Sequence, residues 1–168
     1  MSAFDVITAT LASEFSGFTD IEMHTRTTFR LLWAALLGGI LGYERETSGK
    51  AAGVRTHMLV ALGAALFVTL PMQAGIGEDG ISRITQGIIA GVGFLCAGSI
   101  LKTREQTEVQ GLTTAASIWF TAAIGLAAGL GYEFSAALSA LTAFLILHVL
   151  PFFIGNDTNE DKAENSEK

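Results

Sequence analysis

The stretch LTTAASIWFTAAIGLAAGLGYEFSAALSALTAFLILHVLPFFI, Leu112 to Ile154, contains one charge, Glu133, set between two apolar runs. Two more uncharged runs lie upstream, MLVALGAALFVTLPMQAG (Met58–Gly75) and ITQGIIAGVGFLCAGSIL (Ile84–Leu101). The four runs are 18 to 21 residues long, and a bilayer core takes about 20 residues of helix to cross. Every charge between His57 and Phe153 falls in one of the three breaks between them. A soluble fold of this size has no need for four uninterrupted apolar segments of that length. Lipid is the solvent.

Composition agrees. Of the 168 residues 50% are apolar and 15% charged, against about 25% charged in soluble proteins. The 19 glycines suit membrane helices, which tolerate Gly and pack closely through it. Five acids and two lysines in the last 14 residues carry half of the net charge of −6, so it says little about partners, and no basic stripe points to nucleic acid. The lone Cys96 excludes an internal disulfide and any cysteine-based metal cluster. It reads as a packed, inert thiol. The first basic residue is Arg26, so the charged start of a cleavable signal is missing.

The sequence predicts an all-α membrane protein: a bundle of about five transmembrane helices preceded by an amphipathic N-terminal helix. Residues 1–28 are that helix and its lead-in, with Phe4, Ile7, Leu11, Phe15 and Phe18 as an apolar stripe and Gly17 as a break. Thr19 or Asp20 caps the next helix. Spans follow at about 29–44, 57–76, 84–102, 112–132 and 134–154. The first is the weakest, because its apolar part runs only from Leu31 to Tyr43 and Arg26 and Arg30 must snorkel to the interface. Residues 155–168 form a disordered acidic cytoplasmic tail. With Arg45, Lys50, Arg55, Lys102, Arg104, Lys162 and Lys168 inside, and Arg26, Arg30 and Arg83 outside, the basic residues place the N-terminus out and the C-terminus in the cytoplasm.

A weak internal echo joins Gly53-Val-Arg-Thr56 to Gly111-Leu-Thr-Thr114, with Ala64-Ala65 and Ala122-Ala123 at the same offset. It suggests two helical hairpins of like orientation. Gly38/Gly42, Gly87/Gly91 and Gly125/Gly129 each put two glycines on one helix face, and Gly53, Gly98 and Gly111 add small surfaces. These nine are predicted to be packing glycines. The Gly87–Gly98 helix, being the barest, is predicted to be the central one that others approach closely, and the small surfaces predict homodimers or larger assemblies.

The long spans contain no carboxylate or cation near mid-membrane, where a cation transporter normally replaces lost hydration. The polar cluster is Glu44-Arg45-Glu46 with Arg55 and His57 across a short loop. There Glu44 can meet Arg55, or Arg45 can meet a helix C-terminal carbonyl. The bland reading of the cluster is a topology anchor. Gly49-Lys50-Ala51 fails as a phosphate loop in spacing and lacks the magnesium-binding hydroxyl, and Gly91-x-Gly93 lacks a dinucleotide context. No catalytic arrangement stands out. The expectation is a protein with no enzymatic activity and no cofactor.

Taken together, Ala34-Ala-Leu-Leu-Gly-Gly-Ile-Leu-Gly-Tyr-Glu-Arg45, Ala52-Gly-Val-Arg-Thr-His57, Leu62-Gly-Ala-Ala-Leu66, Gly91-Val-Gly-Phe-Leu-Cys-Ala-Gly98 and Gly111-Leu-Thr-Thr-Ala-Ala116 resemble the MgtC/SapB family of bacterial inner-membrane proteins. The resemblance covers about residues 30–130. It implies a plasma-membrane protein tied to magnesium homeostasis, growth at low Mg²⁺ and, in pathogens, survival inside host cells. Members are often labelled magnesium transporters, and some are thought to act by binding other membrane proteins, including the ATP synthase. The positions carried over by motif are Glu44, Arg45, Gly53, Arg55, Thr56, Gly91, Gly98, Gly111 and Thr114. His57 stands where Asn is common, and Cys96 where a small residue, usually Gly, is found. Longer members carry a cytoplasmic ligand-binding domain after the bundle, whereas this chain has the short tail.

Two functions follow from these readings. The first is association with itself or another membrane protein, which fits the charge-free spans and small-residue faces. The second is transport of magnesium or another small ion through carbonyls and hydroxyls such as Thr113, Thr114 and Ser117, gated by Glu44, Arg45 and Arg55.

Overall fold

The structure, a computed structural model, describes residues 2–14, 20–100 and 111–151. Gly17, Lys102, Arg104 and the tail from 155 onward, all used in the topology reading, lie outside them. The described chain is helical: α1 (Ala3–Glu14), α2 (Ile21–Thr47), α3 (Val54–Gln73), α4 (Glu78–Ser99), α5 (Leu112–Leu130) and α6 (Glu133–His148). The fold is an all-α membrane bundle. Three helices, α3, α4 and α5, are long and apolar enough to cross a bilayer.

The sequence starts α1 with a reciprocal cap, in which Asp5 N–H donates to Ser2 Oγ and Ser2 N–H to Asp5 Oδ2 at 2.8 Å. No residue of α1 is buried, and Phe4, Ile7 and Leu11 face outward. Asp20 caps α2 by accepting the Met23 N–H at 2.9 Å. From there α2 runs 27 residues, about 40 Å at 1.5 Å per residue. It is longer than its apolar run because hydropathy marks the lipid-facing part of a helix, while the polar turns before Phe29 continue the same hydrogen-bond ladder. At the other end of α5, Gly131 adopts φ +90° and the Tyr132 N–H returns to the Ala127 carbonyl at 2.9 Å, a left-handed stop that favours glycine.

Helices α2 to α6 alternate in direction, so α3 and α5 run parallel. His57 meets Ser117 near their N-termini and Thr69 meets Gly129 near their C-termini. This is the arrangement that the Gly53–Thr56 and Gly111–Thr114 echo suggests, since Gly53 and Gly111 precede these two helices.

Helix α3 packs chiefly against α2 and α5, and glycines set the spacing. A Cβ on Gly38 would stand 2.6 Å from the His57 carbonyl oxygen, and one on Gly42 2.6 Å from Val54 Cα. On the other flank a Cβ on Gly129 would stand 2.6 Å from the Ala65 carbonyl oxygen, and one on Gly125 would overlap that of Ala61. Around these seams Ala34, Leu37 and Leu41 of α2 join Ala61, Ala65, Ile124, Ala128, Ala136 and Ala140 in one apolar cluster.

The central helix is α5, buried from Thr114 to Gly129 except for the stripe of Ala116, Trp119, Phe120, Ala123 and Ala127, whereas Cys96 is the one buried residue of α4. This corrects the expectation that the Gly87–Gly98 helix is central. Gly87, Gly91 and Gly98 meet nothing within 4 Å. A bare helix face reads the same in sequence whether it turns toward its own bundle or away from it.

Substitutions at the two kinds of glycine should therefore differ in sign. Gly129→Val drives a side chain into the α3 backbone and should cost about 1–3 kcal/mol or more. Gly93→Ala, which meets nothing within 4 Å, should stabilise by about 0.5–1 kcal/mol through helix propensity. Thermal unfolding in detergent, followed by circular dichroism, measures both.

Candidate functional site

Polar side chains gather at both ends of the bundle. At the first end, the last turns of α2 hold Glu44 and Arg45, each 3% exposed. Arg45 grips its neighbour side-on: Nη2 donates to Glu44 Oε1 at 2.7 Å and Nε to Oε2. Ser48 Oγ donates to the same Oε1 at 2.8 Å. Arg45 Nη2 also reaches the Leu147 carbonyl, in the last turn of α6, at 3.5 Å. Of the two contacts open to this cluster, the arginine at a helix C-terminal carbonyl is the one formed. Glu44 does not pair with Arg55, which lies exposed on the first turn of α3. Glu46 instead faces that turn, its carboxylate accepting the Val54 N–H at 2.9 Å, and it occupies the space beside Gly53.

His57 is fully buried. Its Nδ1 lies 2.9 Å from the Gly53 carbonyl, and because a carbonyl only accepts, Nδ1 carries the proton. Nε2 then faces Ser117 Oγ at 3.1 Å, a hydroxyl that also reaches the Thr114 carbonyl at 2.8 Å. Gly42 of α2 abuts Val54 of α3, so one end of the bundle holds Glu44, Arg45, His57 and Thr114, with Ser117 linking His57 to Thr114. Thr56 and Thr113 are exposed. Cys96 is packed there too, its Sγ 3.1 Å from the Ala115 carbonyl. Gly111, just before α5, has φ +91° and leaves no room for a side chain beside the Ser99 carbonyl.

The opposite end holds residues that the sequence reading did not assign to a site. Arg30 Nη1 donates to the Gly129 carbonyl at 3.2 Å, at the C-terminus of α5, and its Nε lies 3.7 Å from Glu133 Oε1. Trp33 Nε1 donates to the Glu133 carbonyl at 3.3 Å. Thr69 Oγ1 reaches both the Ala65 carbonyl, at 2.8 Å, and that of Gly129, at 3.1 Å. The available signal was an arginine one position before an apolar run, a costly place for a charge without a partner.

Among the described residues no three of His, Cys, Asp and Glu converge on a point where a metal ion could sit. Glu44, the buried carboxylate, already has both oxygens engaged by Arg45 and Ser48. Hard cations such as Mg²⁺ require oxygen ligands free to coordinate, and this end offers a closed ion pair.

A tightly packed helical bundle with long uncharged spans and a buried ion pair at one end defines an integral membrane protein. Its sequence places it further: the MgtC family profile matches residues 31–154, and the chain belongs to that family. Among similar proteins, Protein SrpB of Synechococcus elongatus is 48% identical over 115 residues, covering 62% of this chain and 63% of SrpB. "Putative magnesium transporter YhiD" of Escherichia coli is 43% identical over 138 residues, covering 76% of this chain and 63% of YhiD. Protein MgtC of Salmonella typhimurium is 44% identical over 120 residues, covering 71% and 50%. The chain thus spans between half and two-thirds of these relatives' lengths. No solved structure matches it.

The buried pair gives a sharp expectation. Glu44→Gln leaves the Arg45 guanidinium uncompensated and should destabilise by about 3–5 kcal/mol. Combining it with Arg45→Met removes the stranded charge and should recover most of that loss. Thermal melts of the two variants in detergent check the sign and the recovery. Ser117→Ala removes the hydroxyl facing His57 Nε2 and should cost about 1–3 kcal/mol by the same measurement.

Proposed function

We propose that this protein acts in the bacterial inner membrane by association, with itself or with another membrane protein, in a process linked to magnesium homeostasis. The observation that carries the reading is the open groove between α3 and α4. Gly87 and Gly91 meet nothing within 4 Å, and they line an apolar groove of about 550 Å³ against Leu59, Phe67 and Leu95. Membrane helices associate by close packing through small residues, because lipid supplies no hydrophobic drive between them. The chain's own helices leave this face unfilled. The magnesium link rests on family membership and on the names of relatives, one of them called a putative magnesium transporter.

The proposed orientation has the N-terminus outside and the C-terminus in the cytoplasm. Arg45, Lys50 and Arg55 cluster at the α2–α3 turn, while Arg26, Arg30 and Arg83 fall at the opposite end of the bundle. These are three against three, so the bias toward a cytoplasmic C-terminus rests on Lys102, Arg104, Lys162 and Lys168 of the sequence.

Ion transport is the alternative, and the relative's name is what favours it. Two measurements separate them. Gly91→Leu should dissociate the oligomer in detergent, read by light scattering, while helicity stays unchanged, since nothing inside the chain opposes the new side chain. A single monomeric mass for the wild type at all concentrations would remove the self-association part. Magnesium flux into proteoliposomes should equal that of empty vesicles. Saturable flux from the folded protein would make it a transporter instead.

A further inference from the structure

At the Arg30 end, a pocket of about 410 Å³ opens between α2 and α3. Its lining carries both signs of charge, Asp20, Glu22, Arg26 and Arg30 in order along the start of α2, with Thr27 and Gln73 as neutral polar groups. We infer that this pocket binds a zwitterionic phosphoethanolamine group, its phosphate on Arg30 and Arg26 and its ammonium on Asp20 and Glu22.

Arg30 supplies the first argument. Its side chain is 14% exposed, and its buried Nε makes no hydrogen bond. Among the described residues the guanidinium donates once, to Gly129 O at 3.2 Å, and Glu133 Oε1 stays beyond hydrogen-bond distance at 3.7 Å. A guanidinium has five N–H donors, and buried polar groups are rarely left unpaired. Arg30 therefore has donor capacity that the protein does not use, at the wall of a pocket with room for a ligand.

The charge pattern selects the ligand. A simple anion would meet the repulsion of Asp20 and Glu22, and a simple cation that of Arg26 and Arg30. A group with both charges replaces like with like. The Arg26–Glu22 ion pair on the rim is 2.6 Å long, with side chains 60% and 81% exposed, so opening it costs little. A zwitterion then gives each partner a new one and strands no charge.

Position supplies the third argument. The pocket lies where α2 enters the bundle and α3 and α5 end. Trp33 and exposed Tyr132 stand at the same end, as aromatics do at a membrane–water interface. A diacyl lipid would place its headgroup in the pocket and its chains along the exposed Leu66 and Leu70 of α3, which share a helix face with the pocket residue Gln73. A soluble phosphoethanolamine has the same polar chemistry without that contact.

The test uses the full chain purified in detergent and follows its melting temperature. Short-chain phosphatidylethanolamine should raise it saturably, and phosphatidylglycerol of the same chain length should not. Asp20→Asn, which keeps the capping oxygen, and Arg26→Gln should each weaken the response to phosphatidylethanolamine at least fivefold in apparent Kd, with the lipid-free melting temperature unchanged. Soluble phosphoethanolamine that reproduces the shift supports the site and assigns it to a free zwitterion, whereas a response confined to the diacyl form supports it as a lipid site. Equal shifts with the two lipids, or wild-type affinity in both variants, would overturn the proposal.

Discussion

The structure depends on how closely α3 approaches its two neighbours. In lipid, burying apolar surface between helices gains little over leaving it in contact with acyl chains, so association rests on dispersion and on hydrogen bonds that close packing allows. Gly38 and Gly42 on one flank, and Gly125 and Gly129 on the other, bring backbones together at distances that a methyl group would forbid. The parallel α3–α5 pair follows from that contact, and so do its two cross-helix hydrogen bonds, His57 to Ser117 and Thr69 to Gly129. Each lies where the seam has already excluded lipid and water.

The same packing decides what the arginines do. A helix ends in carbonyls without intrahelical donors, and its C-terminus carries a partial negative charge. Arg30 takes this role at α5 and Arg45 at α6, at opposite ends of the bundle. Neither is an idle topology marker. Arg45 is the more heavily compensated, locked to Glu44 beside it and covered by Ser48. Arg30 is left with spare donors next to an open pocket. One end of the bundle is therefore chemically closed, and the other retains capacity to bind.

Helix α4 is the counterpoint. It contributes one buried residue, yet its glycines are spaced as closely as those that build the α3 seams. Small residues in a membrane helix represent packing capacity, and here the chain itself uses that capacity on α2, α3, α5 and α6, where Ala136, Ala140 and Ala143 are buried. An association function places the unused face against another molecule. At the Glu44 end the buried carboxylate, Arg45 and Ser48 satisfy one another.

The sequence by itself determined the solvent and the helices. Uncharged runs of membrane length can be satisfied only by helices when every backbone group must bond internally, and the cap of α2 was legible as Thr19 or Asp20, of which Asp20 accepts the Met23 N–H. The family was legible as well, because Glu44-Arg45, Gly53–His57 and Gly111–Ala116 recur in fixed order. Pairing was not. Gly91 and Gly129 have the same local chemistry, but only the rotation of each helix about its axis decides which one touches a backbone. The sequence offered Arg55 as the partner of Glu44, and the structure gives that place to Arg45 because the first turn of α3 sends Arg55 outward. Arg30 looked like an interface anchor until α5 was placed with its C-terminus against it. Each of these depends on a contact between residues far apart in the chain, and periodicity along one helix carries no information about its neighbour.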